Sequence, residues 1–174
     1  MVLQYLISLN GIQNKNKMRV AVFPGSFDPI TSGHVDIVKR MLPLFDKIVI
    51  AIGNNTQKTY TFDIKTRARW IDQIFKNESN VQTVIYDNLT VDLCKNLGAH
   101  FIIRGLRNTT DFNYEMSIAQ LNKSMDKDVE TIFTFTSPEY GHISSTIVRE
   151  IIKYHGKIDG FVPAEIVEEI YGTY

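Results

Sequence analysis

The 174-residue chain is long enough for one domain with a sizeable core and too short for two typical domains. Lysine plus arginine and aspartate plus glutamate each number 19, so the formal net charge is zero, which argues against a broad basic surface for nucleic acid. The single cysteine, Cys94, excludes an intramolecular disulfide, and its helical surroundings predict a buried structural thiol. No apolar run reaches the length of a membrane span, so we expect a soluble cytoplasmic protein without a membrane or nucleic-acid partner.

The chain begins with a segment, 1–17, that we interpret as an extension outside the fold, which leaves a single domain over 18–174. Met18 directly precedes the first predicted strand. The segment could therefore reflect an alternative translation start, or it could be foreign to the natural protein, and the sequence leaves both open.

Strand and helix patterns alternate from residue 19 to the end of the chain. Short β-branched runs predict strands, and apolar residues at helical spacing behind capping residues predict helices. The predicted N-caps are Asp63, Asp111 and either Ser144 or Ser145. This alternation predicts an α/β fold, a doubly wound, Rossmann-like, five-stranded parallel sheet with helices on both faces. Such sheets bind ligands beyond the carboxyl ends of their strands. The predicted strands are 19–23, 47–52, 81–85, 101–103 and 131–135, and the predicted helices are 33–42, 63–76, 90–97, 111–125, 144–156 and a last one from about 163.

The first strand leads into the first helix through a glycine- and proline-rich connection, FPGSFDPITSGH at 23–34, which we call the elbow. Pro24 and Gly25 suit a tight turn, and Gly33 would let the chain approach a ligand closely. His34 falls in the first helical turn, where free backbone N–H groups and the helix dipole favour a phosphate. The dipole disfavours a protonated imidazole, but a neutral one can still donate a hydrogen bond. A lone histidine here could equally be a surface or capping residue.

Two arginines, Arg104 and Arg107, flank a glycine after the fourth predicted strand. The planar guanidinium suits phosphate because it makes two charge-assisted bonds without losing its proton. The same arginines could instead form surface ion pairs with Asp111 or Glu115. Their position behind an apolar strand favours a ligand.

Two further segments are expected at the same edge of the sheet. The run Ile143-Ser144-Ser145-Thr146 opens a helix, and it could be no more than a well-capped helix start. Alternatively, it forms a second helix N-terminus that holds one end of a triphosphate while the first helix holds the other. Lys58 lies in the polar loop after the second strand, where a solvated lysine and a mobile phosphate ligand both remain open.

Taken together, these motifs resemble the nucleotidyltransferase superfamily, in which a (T/H)xGH motif binds the phosphates of a nucleoside triphosphate. The segments GSFDPITSGH, the Lys58 loop, RGLRNTTDFNYE at 104–115 and ISSTIVRE at 143–150 occur in the order and spacing of bacterial phosphopantetheine adenylyltransferases. The match covers about residues 18–170. The DFNYE part, with Asp111, Tyr114 and Glu115, separates this family from cytidylyltransferases and from nicotinate or nicotinamide mononucleotide adenylyltransferases.

The resemblance implies transfer of AMP from ATP to 4′-phosphopantetheine, giving dephospho-coenzyme A and pyrophosphate. It implies catalytic roles for His34, Ser26, Lys58 and Arg104, with Ser26 keeping the hydroxyl of a threonine found in many relatives. It also implies Mg²⁺ held mainly by ATP phosphates without protein metal ligands, coenzyme A as a feedback ligand, and a homohexamer. Phosphopantetheine would contact Ser26, Lys58, Thr90 and Arg104. The implied ATP-binding residues are Ser26, Phe27, His34, Gly105, Leu106, Arg107, Glu115, Tyr140, Gly141, His142, Ile143, Ser144, Ser145 and Thr146.

Three other functions remain as alternatives. A related adenylyl- or cytidylyltransferase would act on another phosphorylated acceptor. A non-catalytic nucleotide-binding regulator could keep the fold, although the joint presence of His34, Lys58, Arg104 and Arg107 counts against it. A Rossmann dehydrogenase fits worse, because the elbow lacks GxGxxG and no acidic residue closes the second strand.

Overall fold

A parallel β-sheet with helices around it forms the part of the chain that the computed structural model describes, residues 18–55 and 57–173. The predicted extension at 1–17 lies outside the described residues. The strands are β1 (Val20–Gly25), β2 (Lys47–Gly53), β3 (Val81–Tyr86), β4 (Phe101–Leu106) and β5 (Glu130–Phe135). The helices are α1 (Ser32–Met41), α2 (Ile64–Ile74), α3 (Thr90–Leu97), α4 (Thr109–Met125), α5 (Ser145–Lys153) and α6 (Ala164–Tyr171). The strand order is β3-β2-β1-β4-β5, and all neighbours are parallel, as predicted.

The side chains of β1 point alternately to the two faces of the sheet, as the pleat of a strand requires. Ala21 and Phe23 face a large core that includes residues of α1, α2, α5 and α6. Val20 and Val22 face a smaller core with residues of α3. Because both faces are covered, the central strands are continuous hydrophobic runs, and the predicted doubly wound arrangement is confirmed.

The helix starts follow the predicted capping residues with one exception. Asp63 caps α2 and Ser144 caps α5, each accepting backbone N–H groups of the first turn. The prediction that Asp111 caps α4 is wrong, since Asn108 is the N-cap and accepts the Asp111 N–H at 2.9 Å. The Asp111 carboxylate is therefore available to bind Arg107. The ends of α2 and α5 fall slightly before the predicted 76 and 156.

Two strands extend by two or more residues beyond their predicted ends. Pro24 and Gly25, expected in a turn, belong to β1, where they pair with β2. Arg104 to Leu106, expected after the fourth strand, belong to β4 and pair with β5. The neighbouring strands extend the ladder through residues whose own strand propensity is poor. As a result, the first arginine projects from the rigid sheet instead of from a loop.

Helix α4 does not bury the apolar residues that its sequence offers. Tyr114, Leu121 and Met125 are exposed, whereas Glu115 and Asn122 are buried. By contrast, Cys94 is buried in the smaller core, where burial and then the Asp126 charge raise the pKa of the thiol to about 11. Among the described residues, the helices are all too short or too polar to cross a membrane.

Candidate active site

The carboxyl edge of the sheet contains a cavity of about 430 Å³, which we call the nucleotide cavity. Its walls come from the ends of β1 and β4, the N-terminal turns of α1 and α5, and the segment after β2. His34 and Arg104 line this same cavity, as convergence of the elbow and the arginine motif requires. The predicted site residues in its wall are Ser26, Phe27, His34, Lys58, Arg104, Gly105, Arg107, Glu115, Ile143, Ser144, Ser145 and Thr146.

The orientation of the His34 imidazole is set by Thr31. The Thr31 N–H donates to His34 Nδ1 at 3.0 Å, and the Thr31 hydroxyl lies 2.8 Å from the same atom. The His34 N–H donates to Thr31 Oγ1, which completes a capping box. Because a backbone N–H can only donate, Nδ1 accepts, and the proton of the neutral ring is assigned to Nε2. The ring can therefore donate one hydrogen bond to a ligand from Nε2.

The same imidazole is held neutral by its surroundings. Burial, followed by the charges of Arg107 and Arg104, lowers the pKa of His34 from 6.5 to about 4. The helix dipole predicts the same direction from the sequence, but burial is the larger cause. His34 is thus a neutral donor at physiological pH.

Aromatic rings hold the imidazole from the side of the core. The Phe27 ring meets His34 in a T-shaped contact with centroids 5.2 Å apart, and Phe27 is only 2% exposed. Its backbone φ is 47°, a conformation that bulky residues rarely adopt. The ring packs on Gly25, where an added Cβ would lie 2.8 Å from it. The buried Phe27 side chain thus supports the histidine.

Helix α1 packs closely against the segment that follows β5. An added Cβ at Gly33 would lie 3.3 Å from Thr136 and 3.4 Å from Tyr140, so the close approach predicted there is made to this segment. One turn later, Asp36 accepts hydrogen bonds from the Ser137 backbone N–H at 3.2 Å and the Ser137 hydroxyl at 3.0 Å. These contacts fix the first turn of α1 against the far side of the nucleotide cavity.

The two arginines line the cavity and also form ion pairs, so the ion pairs are confirmed and the binding of a ligand stays a prediction. Arg104 forms a bidentate pair with Glu115, in which Nε lies 2.7 Å from Oε2, and it also donates to the Pro24 carbonyl. Arg107 forms a bidentate pair with Asp111 at 2.9 and 3.1 Å. Their acidic partners hold the guanidiniums in place while leaving them in the cavity wall.

The N-terminus of α5 is tied to the elbow. The Ser145 hydroxyl donates to the Pro29 carbonyl at 2.8 Å. Arg149, one turn into the helix, donates to the Asp28 carbonyl at 2.6 Å and to the Thr146 hydroxyl at 3.1 Å. Arg149 also lines the cavity, and the sequence analysis does not single it out. Its spacing from the serines brings it back over the first turn of the same helix. This spacing is the signal from which its place in the site could have been predicted.

The segment after β2 brings Lys58 to the cavity. The Asp28 carboxylate accepts the N–H groups of Thr61 and Phe62, each at 2.9 Å, and so binds this segment to the elbow. Lys58 and Tyr60 then form one wall of the cavity.

A second cavity of about 360 Å³ adjoins the first, and we call it the acceptor cavity. Ser26, Lys58 and Arg104 line both cavities. Thr90 lies in the second, where its hydroxyl is 3.1 Å from the Tyr86 hydroxyl. The same wall includes Tyr86, Tyr114, Ile118 and Asn122, a contribution that the sequence patterns do not predict, and the last three of these residues come from α4.

Four predicted ATP-binding residues lie outside the walls of both cavities. Leu106 is buried, and its carbonyl accepts the Thr136 N–H. The ring of His142 lies edge-on to Phe161 with centroids 6.1 Å apart. The other two are Tyr140 and Gly141, in the turn before α5.

Among the described residues there is no group of three or more His, Cys, Asp or Glu that could hold a metal ion.

A solved structure shares this architecture. A protein of Vibrio parahaemolyticus, provisionally assigned as a nicotinate-nucleotide adenylyltransferase, superposes with a TM-score of 0.69 over 88% of this chain and 98% of its own. Its sequence identity is 17%, so the likeness concerns the fold.

The sequence comparisons are closer. Residues 22–151 match the family model described as cytidylyltransferase-like. A phosphopantetheine adenylyltransferase of Cytophaga hutchinsonii is 53% identical over 85% of this chain and 99% of its own length. The enzymes of the same name from Flavobacterium psychrophilum and Lachnoclostridium phytofermentans are 51% and 45% identical, over 86% and 90% of this chain and 98% and 96% of their own. The chain belongs to the phosphopantetheine adenylyltransferase family.

Proposed function

We propose that this protein transfers the adenylyl group of ATP to 4′-phosphopantetheine, giving dephospho-coenzyme A and pyrophosphate. The observation that carries the proposal is the junction of the two cavities at Ser26, Lys58 and Arg104. A phosphate of the acceptor and the α-phosphate of ATP can meet there. The relatives of the same name supply the identity of the acceptor.

The nucleotide cavity is suited to a polyphosphate. Two helix N-termini, those of α1 and α5, open into it, and Arg107 and Arg149 add positive charge. We assign the β- and γ-phosphates to this region. The α-phosphate then lies beside His34, whose Nε2 N–H can donate to its oxygens.

The acceptor cavity is suited to a long, partly apolar molecule with a phosphate at one end. Lys58 and Arg104 provide cations at the junction with the nucleotide cavity. Farther along, Tyr86 and Thr90 offer hydroxyls, and Asn122 offers an amide, which suits the amide groups of a pantetheine arm.

The reaction then needs alignment and charge stabilisation and no nucleophile from the protein. A phosphate oxygen of the acceptor attacks the α-phosphorus, and the bond from that phosphorus to the bridging oxygen of pyrophosphate breaks. The attacking oxygen is already anionic at neutral pH, so no general base is required. His34 and Arg104 stabilise the negative charge that develops on the α-phosphate.

Magnesium bound to the phosphates would supply further neutralisation of charge. Among the described residues that line the nucleotide cavity, Asp111 is the one acidic residue that is not buried, and it is paired with Arg107. The side chains present therefore fit an ion held mainly by phosphate oxygens and water.

We further propose a cytoplasmic homohexamer that binds coenzyme A as a feedback ligand, as the family resemblance implies. The exposed apolar side chains of α4, Phe112, Leu121 and Met125, support association of copies of this chain. Sedimentation velocity of the purified protein tests the assembly, and titration with coenzyme A tests the feedback ligand.

Product analysis tests the reaction. The protein is incubated with Mg²⁺, ATP or CTP, and a panel of phosphomonoesters that includes phosphopantetheine. We expect pyrophosphate and dephospho-coenzyme A from ATP with phosphopantetheine only. CTP is the relevant competitor, because the chain matches the cytidylyltransferase-like family model. Turnover with CTP, or with another acceptor, would show that the protein is a different nucleotidyltransferase. Binding of ATP without any product would indicate a regulator.

A further inference from the structure

Arg67, in α2, is buried and forms no ion pair within the part of the chain that the structure describes, although the charges of Asp28 and Asp63 act on it. Its residue exposure is 1%, and none of the ion pairs formed among residues 18–55 and 57–173 includes it. A buried guanidinium is costly unless other contacts compensate. Burial accordingly lowers the pKa of Arg67 from its usual value. The burial of Arg67 must therefore be explained by the groups that its guanidinium binds.

The contacts of Arg67 reach two separate segments of the chain. Its Nε donates to the Phe62 carbonyl at 3.0 Å, and its Nη1 donates to the Ser26 carbonyl at 2.6 Å. The guanidinium carbon lies 4.1 Å from the centroid of the Tyr60 ring, a cation–π contact. Ser26 belongs to the elbow after β1, and the other two belong to the segment after β2.

These two segments carry groups that meet at the junction of the cavities. Ser26 is bound to Arg67 directly. Lys58 is linked to it through Tyr60 and Asn55. The Tyr60 hydroxyl donates to the Gly53 carbonyl and accepts the Asn55 N–H, both at 3.3 Å, and the Lys58 N–H donates to the Asn55 carbonyl at 3.1 Å. Asp28 also joins the two segments, because its carboxylate accepts the N–H groups of Thr61 and Phe62.

We propose that Arg67 is a positioning residue for adenylyl transfer, which fixes Ser26 and Lys58 relative to each other by binding the elbow and the segment after β2 at once. The inference rests on the proposed function. Arg67 does not line either cavity, so it acts through the groups it holds.

The geometry accounts for an arginine at this position in preference to a lysine. The planar fork points Nε and Nη1 at two different carbonyl groups and leaves a flat face for the Tyr60 ring. A lysine keeps the charge but concentrates its donors on one atom. We therefore expect Arg67→Lys to retain the fold but no longer to fix Ser26 and Lys58 relative to each other.

The test compares Arg67→Lys and Arg67→Met with Arg69→Met as the matched control. Arg69 lies on the same helix, is paired with Glu169 of α6 at the surface, and lines neither cavity. Steady-state kinetics are measured for ATP and for phosphopantetheine separately. Folding is checked by urea unfolding followed through Trp70, the single tryptophan, whose ring centroid is 4.7 Å from that of Phe62.

We expect folded Arg67→Lys and Arg67→Met to lose about tenfold or more in kcat/KM for phosphopantetheine, with a KM for ATP within about threefold of the parent. Arg69→Met should match the parent in both. Parental kinetics in Arg67→Lys would overturn the proposal, and so would failure of both Arg67 variants to fold, because a purely structural role would then account for the residue. An inactive parent protein would instead count against the proposed function.

Discussion

Gly105 of β4 and Ile37 of α1 occupy adjoining space at the floor of the nucleotide cavity. A Cβ added at Gly105 would overlap Cδ1 of Ile37, whose side chain is 3% exposed and packed in the large core. The absence of a side chain at Gly105 thus lets α1 lie close to β4. Since α1 carries His34 and β4 carries Arg104, this approach sets the distance between two groups of the site.

We predict that Gly105→Ala lowers the free energy of unfolding by about 1–3 kcal/mol, because Ile37 is buried and has little room to move. The activity should fall as well, since α1 is displaced from β4. Urea unfolding and steady-state kinetics measure the two effects. Ile37→Val added to Gly105→Ala should restore part of the stability and part of the activity. Unchanged stability of Gly105→Ala alone would contradict the overlap.

Replacement of His34 should impair turnover more than binding. Loss of one donor to the charge that develops in the transition state typically lowers kcat about 10²-fold or more. We therefore expect His34→Ala to lose at least that factor while circular dichroism and ATP affinity stay close to those of the parent. His34→Gln, which can place an amide donor in the same direction, should lose less. Near-parental turnover of His34→Ala would refute the assigned role.

The low pKa of His34 predicts a pH dependence of stability. The folded-state pKa of about 4 lies below the usual 6.5, so the unfolded chain binds the proton more readily in this interval. The contribution of the neutral His34 side chain to the free energy of unfolding is fully present above pH 6.5, and it is lost as the pH falls towards 4. In urea unfolding between pH 7 and 4, the parent should therefore lose stability more steeply than His34→Gln does. Parallel curves for the two proteins would contradict the assignment of a neutral His34.

The Arg104–Glu115 pair allows stability to be separated from activity. Arg104→Ala leaves the buried Glu115 carboxylate without its guanidinium, which we expect to cost about 2 kcal/mol of unfolding free energy and to impair use of both substrates. The double variant Arg104→Met with Glu115→Leu removes both charges and should recover much of the stability. Its activity should stay low, because the cation at the junction of the cavities is still absent. Unchanged kinetics of Arg104→Ala for both substrates would refute its role.

Much of the fold could be predicted because local patterns and tertiary packing agree along most of the chain. The buried strands are continuous apolar runs, and Asp63 and Ser144 cap helices where the pattern places them. The pattern fails at α4, where Asn108 takes the cap expected of Asp111 and the helix buries Glu115 and Asn122. There the site needs polar groups on the buried face, which periodicity of apolar residues cannot reveal.

For the site, the order of the motifs was sufficient to bring His34, Lys58 and Arg104 to one edge, because parallel strands end on the same side of a sheet. The sequence could not show what holds each group in place. Arg67 acts through a contact with Ser26, and no local signal marks Arg67 or the Tyr60 ring on which it packs. Phe27 is implied by the resemblance as an ATP-binding residue, but its support of the His34 ring appears only in the structure.

The sequence by itself determined the alternating fold, the edge at which the site lies and the chemical groups brought there, because these follow from short-range pattern and strand direction. Only the tertiary structure decided the neutral state of His34, the acidic partner of each arginine and the division of the site into two joined cavities. Those properties depend on burial and on distances between segments far apart in the chain, and neither quantity exists until the chain has folded.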